Sequence, residues 1–246
     1  MDTRTRSYIF LAGDVHGDFS LFSGLMWSTA SLIDERKEKY RVSVIQLGDL
    51  GFFPKIGLDP FRQINLPPHF YLYFLPGNHD MRDILDKEYG RYSYSPIHVK
   101  NNMYYCPWGS KLELNNLKFL FLPGAGSPDK GLRHKGYDWC EEEEITMEDF
   151  KNTPSYVFSE NFDYICSHTA PNKFAKMFTS GSYKGYVDPS GLILDKIYQN
   201  MPKNNKFWYL GHMHRRSSWV DGNTCFHVLD EIKHIKEDWM VQLNTF

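Results

Sequence analysis

The chain has 246 residues, of which 41% are hydrophobic and 24% are charged, and its formal net charge is −2. This apolar content is enough for a substantial core, and we expect a single domain over residues 1–246. The near-balance of charge argues against a protein whose main partner is duplex nucleic acid. No apolar run approaches the roughly 20 residues that a membrane-spanning helix needs, so we expect no membrane partner.

The cysteines and the first residues of the chain bear on the compartment. The four cysteines are scattered without a CxxC pair, and no apolar signal segment precedes the first predicted strand. Cysteines in this arrangement are usually reduced thiols rather than disulfides. We therefore expect a cytoplasmic protein.

The first half of the chain alternates between predicted strands and helices. Apolar runs predict buried strands at Tyr8–Ala12, Val42–Leu47 and Phe70–Leu75. Asp18 is the predicted cap of a helix between the first two strands, and a second helix is predicted to begin near Asp80. The predicted inward positions of the two helices are Leu21, Phe22, Leu25, Met26, Leu32 and Ile33, and then Met81, Ile84 and Leu85.

The second half begins with a predicted hairpin, Lys111–Leu114 and Lys118–Leu122, joined by Asn115-Asn116. The segment 123–138 is rich in glycine and charge, so it is predicted to be a loop, and it is large enough to overhang a site. The remaining predicted elements are a short helix capped by Thr146 and Asp149, a helix starting at Asp188-Pro189 with Leu192, Ile193, Ile197 and Tyr198 inward, and strands Phe162–Cys166, Phe207–Leu210, Thr224–Leu229 and Trp239–Leu243. Together these elements predict an α/β fold with mixed sheets between helices.

Five short polar clusters follow predicted buried strands, where binding groups gather in α/β sheets. Each cluster holds one or more carboxylate, amide or imidazole side chains, and glycines precede four of them. The candidate metal ligands are two carboxylates, one amide and four imidazoles, namely Asp14, His16, Asp49, Asn78, His168, His212 and His214.

Such a set suits two divalent ions that share a carboxylate, because an anion between the ions offsets their mutual repulsion. Asp49 is the candidate bridge. Nitrogen and oxygen ligands without sulfur suit Mn²⁺, our first choice, and also Fe, Zn or Ni ions. After two carboxylates the ions keep a formal charge of about +2, which can hold a phosphate ester and lower the pKa of a bound water.

Three further polar residues are candidates for catalysis or substrate binding. His79 adjoins Asn78 but points elsewhere, so it can stabilise charge on a leaving oxygen or donate a proton to it. For Asp80, also a catalytic candidate, two roles are open: fixing the tautomer of His79 or capping the following helix. Arg133 is a candidate to bind the substrate phosphate together with Asn78 and His79, although a solvated basic loop fits the pattern equally well.

The order Asp-x-His, Gly-Asp, Gly-Asn-His-Asp, His and Gly-His-x-His, from Asp14 to His214, resembles the calcineurin-like metallophosphoesterase superfamily. The segment from Gly124 to Glu144 is similar to that of small bacterial and phage-type members. The resemblance implies a four-layer α-β-β-α sandwich with mixed sheets and makes His79 the catalytic histidine. It also implies two ion sites that share one aspartate, formed by Asp14, His16, Asp49 and His214 and by Asp49, Asn78, His168 and His212.

The pattern departs from that of the Ser/Thr protein phosphatases of the family. Gly48-Asp49-Leu50-Gly51 lacks their Asp-Arg-Gly element, and Asp80 stands where they have Glu. We therefore expect hydrolysis of phosphate mono- or diesters of a small molecule or nucleotide, by in-line attack of metal-bound hydroxide. A nuclease or phosphodiesterase acting on nucleic acid is a less favoured alternative, and a non-catalytic interaction platform is the least favoured. The natural substrate and the oligomeric state are left open.

Overall fold

The computed structural model describes residues 5–35, 39–177, 186–234 and 240–243. The helices within these ranges are Phe19–Asp34 (α1), Pro60–Gln63 (α2), Arg82–Tyr89 (α3), Met147–Lys151 (α4) and Pro189–Asn200 (α5). The strands are Arg6–Ala12 (β1), Tyr40–Gln46 (β2), Phe70–Phe74 (β3), Ile97–Lys100 (β4), Met103–Tyr105 (β5), Lys111–Leu114 (β6), Leu117–Leu122 (β7), Tyr164–Ser167 (β8), Phe207–Leu210 (β9), Ser217–Asp221 (β10), Thr224–Val228 (β11) and Met240–Leu243 (β12). None of the described helices is both long and apolar enough to cross a membrane.

The strands form two six-stranded sheets of the same design. One sheet has the order β12-β1-β2-β3-β5-β4, and the other has the order β10-β11-β9-β8-β7-β6. In each sheet the four central strands are parallel, and both edge strands run antiparallel to their neighbours. Because parallel strands end at the same edge, the loops that follow them lie together at one rim of each sheet.

Alternate side chains of the strands face two different cores, which produces four layers. In β1, Tyr8 and Phe10 belong to the core shared with α1, whereas Ile9 and Leu11 belong to the core between the sheets. A third core covers the outer face of the second sheet and includes Leu120, Ile165, Trp208, Leu194 and Ile197. The predicted α/β fold with two mixed sheets in an α-β-β-α sandwich is confirmed. That the whole chain forms one domain stays a prediction.

The predicted caps of three helices are confirmed. Asp18 accepts a hydrogen bond from the Leu21 amide (3.2 Å), and Asp188 accepts one from the Ser190 amide (2.8 Å). At α4, Thr146 and Asp149 form a reciprocal capping box. These side chains satisfy amides that the first turn of a helix leaves without partners.

Two apolar side chains that were predicted to face inward are exposed. Leu32 in α1 is 64% exposed, and Leu192 in α5 is 46% exposed. In each helix the following residue, Ile33 or Ile193, is buried. Adjacent residues on a helix point about 100° apart, so only one of each pair can face the core. The expectation was therefore wrong for Leu32 and Leu192.

The predicted hairpin is confirmed as β6 and β7. Asn115 and Asn116 have φ values of 53° and 63°, as a two-residue hairpin turn of type I′ requires. The strands β4, β5 and β10 were not predicted. The edge strands β4 and β10 are only half-buried on one face, and β5 has three residues, so their apolar patterns are weak. The predicted start of the last strand, Trp239, lies outside the described residues.

Candidate metal centre

Carboxylates and imidazoles from both sheets converge at the rim where the parallel strands end. They form two groups in which the candidate ligand atoms lie within 4.8 Å of one another, namely Asp14, His16, Asp49 and His214, and Asp49, His168 and His212. Asn78 joins the second group, because its Oδ1 is 3.1 Å from Nε2 of His168. The structure thus brings all the predicted metal ligands together, and Asp49 belongs to both groups.

Asp49 lies between the two groups. Its Oδ1 is 3.0 Å from Nε2 of His168, and its Oδ2 is 3.8 Å from Nε2 of His16. The side chain is fully buried, and no described residue donates a hydrogen bond to Oδ2. A buried carboxylate oxygen without a donor is costly unless a cation meets it. The residues present therefore fit a pair of divalent ions bridged by Asp49.

The first group is tight enough for one ion. Nε2 of His16 and Nε2 of His214 are 3.0 Å apart, and Nε2 of His214 is 3.3 Å from Oδ2 of Asp14. The His212 amide donates to the same Asp14 oxygen at 3.0 Å and so holds the carboxylate in place. Imidazole nitrogens that face each other beside a carboxylate are typical of ligands around a divalent ion.

In the second group, His168 is oriented by the backbone. Its Nδ1 donates to the Leu47 carbonyl oxygen at 2.8 Å, which leaves Nε2 directed at Asp49. Burial disfavours a charged imidazole, but the Asp49 carboxylate outweighs burial and raises the pKa of His168 to about 10. A proton on His168 therefore balances Asp49, and a divalent ion would replace this proton on binding.

The backbone of the centre is strained. His16, Asp49, His212 and His214 have φ values of 50°, 57°, 67° and 44°, in the left-handed region that residues other than glycine rarely adopt. Each such residue costs on the order of 1–3 kcal/mol and persists only where its surroundings hold it. Here the amides of Val15 and His16 both donate to the Asp49 carbonyl oxygen, at 2.9 and 2.8 Å. The loops after β1 and β2 thus hold each other.

Two glycines allow the strand-end loops to approach the carboxylates. A Cβ at Gly77 would collide with the carboxylate of Asp49, and a Cβ at Gly211 would collide with that of Asp14. A side chain at either position would displace a candidate ligand, which explains the glycines that precede the polar clusters.

The geometry of the centre agrees with a comparison of sequences. A sequence profile of the calcineurin-like phosphoesterase family matches residues 7–216. The chain belongs to this family. It is a phosphoester hydrolase, and the metal dependence of the family agrees with the carboxylates and imidazoles at its strand ends. The predicted family membership is thus confirmed.

Solved structures of low sequence identity are similar to this phosphoesterase. A phosphopantetheinyl hydrolase from Mycobacterium tuberculosis superposes with a TM-score of 0.52 and 11% identity, over 97% of this chain and 96% of that one. A sulfate thiohydrolase from Thermus thermophilus gives a TM-score of 0.46 and 10% identity, over 94% of this chain and 53% of that one. No curated protein matches the chain by sequence. The first similarity shows a shared fold.

The phosphoesterase has a cavity of about 160 Å³ at the centre, lined by Asp49, Asn78, His79, Pro128, Asp129, His212 and His214. The His79 ring lies edge-on to His16, with 4.9 Å between the ring centroids, and the His79 amide donates to Oδ1 of Asp49 at 2.7 Å. Burial lowers the pKa of His79, although Asp49 opposes this change. The ring is therefore neutral at neutral pH, and its catalytic role stays a prediction.

Asp80 joins two loops of the centre, and its predicted catalytic role of fixing the tautomer of His79 stays a prediction. Its fully buried carboxylate accepts hydrogen bonds from the amides of Gly51 (2.9 Å), Phe52 (2.8 Å) and Gly77 (2.9 Å). The capping role is wrong, because the N-cap of α3 is Met81 and no side chain caps that helix. Asp80 instead joins the loop after β2, which carries the bridging candidate, to the loop after β3.

Arg133 lies behind Asn78 and is absent from the lining of the cavity described above. Its Nη1 donates to the Asn78 carbonyl oxygen (3.0 Å) and to Oγ of Ser127 (2.7 Å). Ser127 also accepts from Nδ2 of Asn78 (3.2 Å), and its amide donates to the buried Glu143 (2.8 Å). This network sets the rotation of the Asn78 amide, so that Oδ1 faces His168. Direct binding of phosphate by Arg133 stays a prediction.

Among the residues at the centre that were not predicted site residues are Gln46, Glu231 and Asp129. Nε2 of Gln46 donates to the Gly13 carbonyl oxygen at 3.1 Å, Oε2 of Glu231 is 3.8 Å from Nε2 of His16, and Asp129 lines the cavity. Glu231 follows an apolar run, as the predicted ligands do, so the same pattern could have identified it. Gln46 lies within a strand and Asp129 within a loop, where no local pattern marks them.

Proposed function

We propose that the protein is a binuclear metal-dependent phosphoesterase that hydrolyses phosphate mono- or diesters of a small molecule or nucleotide. The observation that carries this proposal is the position of Asp49, whose two carboxylate oxygens face different imidazoles, at 3.0 Å from His168 and 3.8 Å from His16. A carboxylate between two sets of nitrogen and oxygen ligands suits an enzyme that uses a pair of divalent ions for phosphate displacement.

The ligands divide into two sites with a common aspartate. One ion is assigned to Asp14, His16, Asp49 and His214, and the other is assigned to Asp49, Asn78, His168 and His212. Nitrogen and oxygen donors without sulfur suit Mn²⁺ first, and Fe, Zn or Ni ions as well. When bound, such ions polarise the phosphate and lower the pKa of a water molecule toward neutrality.

The protein side chains that line the cavity orient the ester and assist the leaving oxygen. His79 lines the cavity and has a lowered pKa because it is buried. It therefore acts as a neutral hydrogen-bond donor that stabilises charge on the leaving oxygen. Asn78 lines the same cavity and orients the phosphate beside it. Asp80 is a positioning residue, because its carboxylate holds the Gly77 amide and the loop after β2.

We place the protein in the cytoplasm, acting on a small phosphate ester. Its four cysteines are free, and three of them are buried, as is usual where thiols stay reduced. A nuclease would use the same centre. It would differ in cleaving single-stranded nucleic acid with a steep dependence on salt concentration.

The test is turnover of p-nitrophenyl phosphate and bis-p-nitrophenyl phosphate with and without added Mn²⁺. We expect hydrolysis that requires the metal and that falls by more than about 100-fold in Asp49→Asn. Loss of a bridging ligand should lower activity more than the roughly 10–100-fold that is typical for loss of a group that only supports a ligand. Asp163→Asn makes the same chemical change at a surface pair with Lys206 and is expected to keep wild-type rates. Wild-type rates in Asp49→Asn, or no hydrolysis of either ester with Mn, Fe, Zn or Ni ions, would refute the proposal.

A further inference from the structure

Asp129 places a carboxylate on the wall of the cavity at the metal centre. It lines this cavity beside Asn78 and His79. A hydrogen bond from the Leu132 amide to the Asp129 carbonyl oxygen (2.8 Å) fixes its position in the loop. The side chain is 43% exposed, but its Oδ1 is buried and accepts no hydrogen bond from a described residue. A negatively charged residue therefore belongs to the lining of the cavity.

Arg133 offsets only part of the Asp129 charge. Its Nη1 is 4.0 Å from Oδ1 of Asp129, beyond hydrogen-bond distance. The same Nη1 donates to Ser127 and to the Asn78 carbonyl oxygen, and it lies 3.8 Å from the fully buried carboxylate of Glu143. The single positive charge of Arg133 is thus shared between Asp129 and Glu143, so the three side chains keep one net negative charge.

With two divalent ions bound, the charges around the centre would leave a small positive excess. The ions contribute a formal charge of about +4, from which Asp14 and Asp49 subtract about 2. Asp129, Glu143 and Arg133 together subtract about 1 more, so that about +1 remains. A substrate with a single negative charge neutralises this excess, whereas a substrate with two negative charges makes the site anionic.

On the basis of the proposed phosphoesterase function, we propose that Asp129 is a specificity-determining residue that favours monoanionic phosphate diesters over dianionic phosphate monoesters. A monoester carries close to two charges above its second pKa of about 6, whereas a diester keeps one charge. Repulsion by Asp129 is therefore about twice as large for the monoester as for the diester.

The experiment compares p-nitrophenyl phosphate with bis-p-nitrophenyl phosphate, which share a leaving group, on Mn²⁺-loaded enzyme at pH 8. Wild-type enzyme is expected to have the higher kcat/KM for the diester. In Asp129→Asn the kcat/KM of both esters rises, and the ratio of monoester to diester rises about tenfold, the effect of one unit charge across about 6 Å at an effective dielectric constant of about 40.

The control variant is Glu141→Gln. It removes the same charge from a side chain that is 66% exposed and pairs with Lys135, so it is expected to leave the ratio within about twofold. Asp129→Ser serves as a second charge-removing variant if the amide impairs folding. Asp129→Asn and Asp129→Ser both keep an uncharged polar side chain at the cavity wall.

Binding provides a second readout that does not require turnover. We expect the Kd of orthophosphate, mostly dianionic at pH 8, to fall more in Asp129→Asn than the Kd of dimethyl phosphate, with a difference of about tenfold by titration calorimetry. An unchanged ester ratio in both Asp129 variants, equal changes in the two Kd values, or a wild-type preference for the monoester would overturn the inference. If wild-type enzyme hydrolyses neither ester, the proposed function fails, and the two Kd values still decide the role of Asp129.

Discussion

The metal centre and a second, partly buried charge cluster differ in what balances their carboxylates. The second cluster, called the arginine cluster here, consists of Arg91, Asp86 and Asp149. Nε and Nη2 of Arg91 donate to the two oxygens of Asp149 at 2.6 and 2.7 Å, and Nη1 donates to Asp86 at 2.8 Å. Burial would raise the pKa of Asp149, but the hydrogen bonds from Arg91 and the charges of Arg82 and Arg91 outweigh burial and lower it. At the metal centre, by contrast, Asp49 faces imidazoles.

This difference separates a cluster that stabilises the fold from one that binds ions. A guanidinium is charged at every pH of interest, so the arginine cluster is complete within the chain. An imidazole is protonated or neutral near physiological pH, so Asp49 can be balanced by a proton on His168 or by a cation. The two clusters also differ in backbone conformation. Non-glycine residues with positive φ occur at the metal centre, among them Asp49 and His212.

Adding or removing divalent ions is expected to have the largest effect on stability. An ion at a free concentration about 1,000 times its Kd stabilises the native state by about 4 kcal/mol, and we propose two such ions at the centre. We expect Mn²⁺ to raise the Tm of the wild-type protein and a chelator to lower it, as measured by calorimetry. Asp49→Asn should show little of this shift, and an equal shift in that variant would place the ions elsewhere.

Breaking the arginine cluster should destabilise the protein without weakening its metal sites. We expect Arg91→Met to lower the free energy of unfolding by about 3–5 kcal/mol, because Asp149 is left buried without its partner. Urea unfolding measures this loss, and the Mn²⁺ affinity should be unchanged. Arg62→Met is the matched control, since Arg62 is 81% exposed in its pair with Asp59 and such pairs contribute about 0–1 kcal/mol. Equal losses of unfolding free energy in Arg91→Met and Arg62→Met would contradict a stabilising role of the arginine cluster.

A smaller effect should come from the contacts that orient a candidate ligand. Ser127→Ala removes the acceptor for Nδ2 of Asn78, so the amide can rotate away from His168. We expect Mn²⁺ affinity, measured by competition with a chelator, to fall about 10–100-fold, as for other groups that support metal ligands. Ser110→Ala is the control, because Ser110 is also buried but donates to the Pro107 carbonyl oxygen. The expectation is wrong if both variants bind Mn²⁺ as the wild type does.

The smallest effect concerns pH. Arg91 and Arg82 lower the pKa of Asp149 in the folded state. The contribution of the Asp149 carboxylate to stability is therefore present above the unfolded pKa of about 3.9 and is lost as pH falls through the folded value. The difference in unfolding free energy between wild type and Asp149→Asn should therefore shrink below about pH 4, by about 1.4 kcal/mol per unit of pKa shift. Urea unfolding with chelator present measures this difference, and a difference that grows on acidification would contradict the prediction.

Much of the centre is visible in the sequence because its ligands are local to strand ends. The pairs Asp14 with His16 and His212 with His214 lie two positions apart, and each follows an apolar run. The role of Asp80 was not visible, since its hydrogen bonds reach a loop some thirty residues away, at Gly51. The network of Ser127 and Glu143 was hidden for the same reason.

The sequence by itself determined the family, the alternation of strands and helices, and the set of nitrogen and oxygen ligands. These features depend on residue type and short spacing, which set local conformation and ligand chemistry. Only the tertiary structure decided that Asp49 faces both groups of ligands, that Arg133 supports Asn78, and that Asp129 lines the cavity. Those roles depend on distances between segments far apart in the chain, and packing of the two sheets and their loops sets such distances.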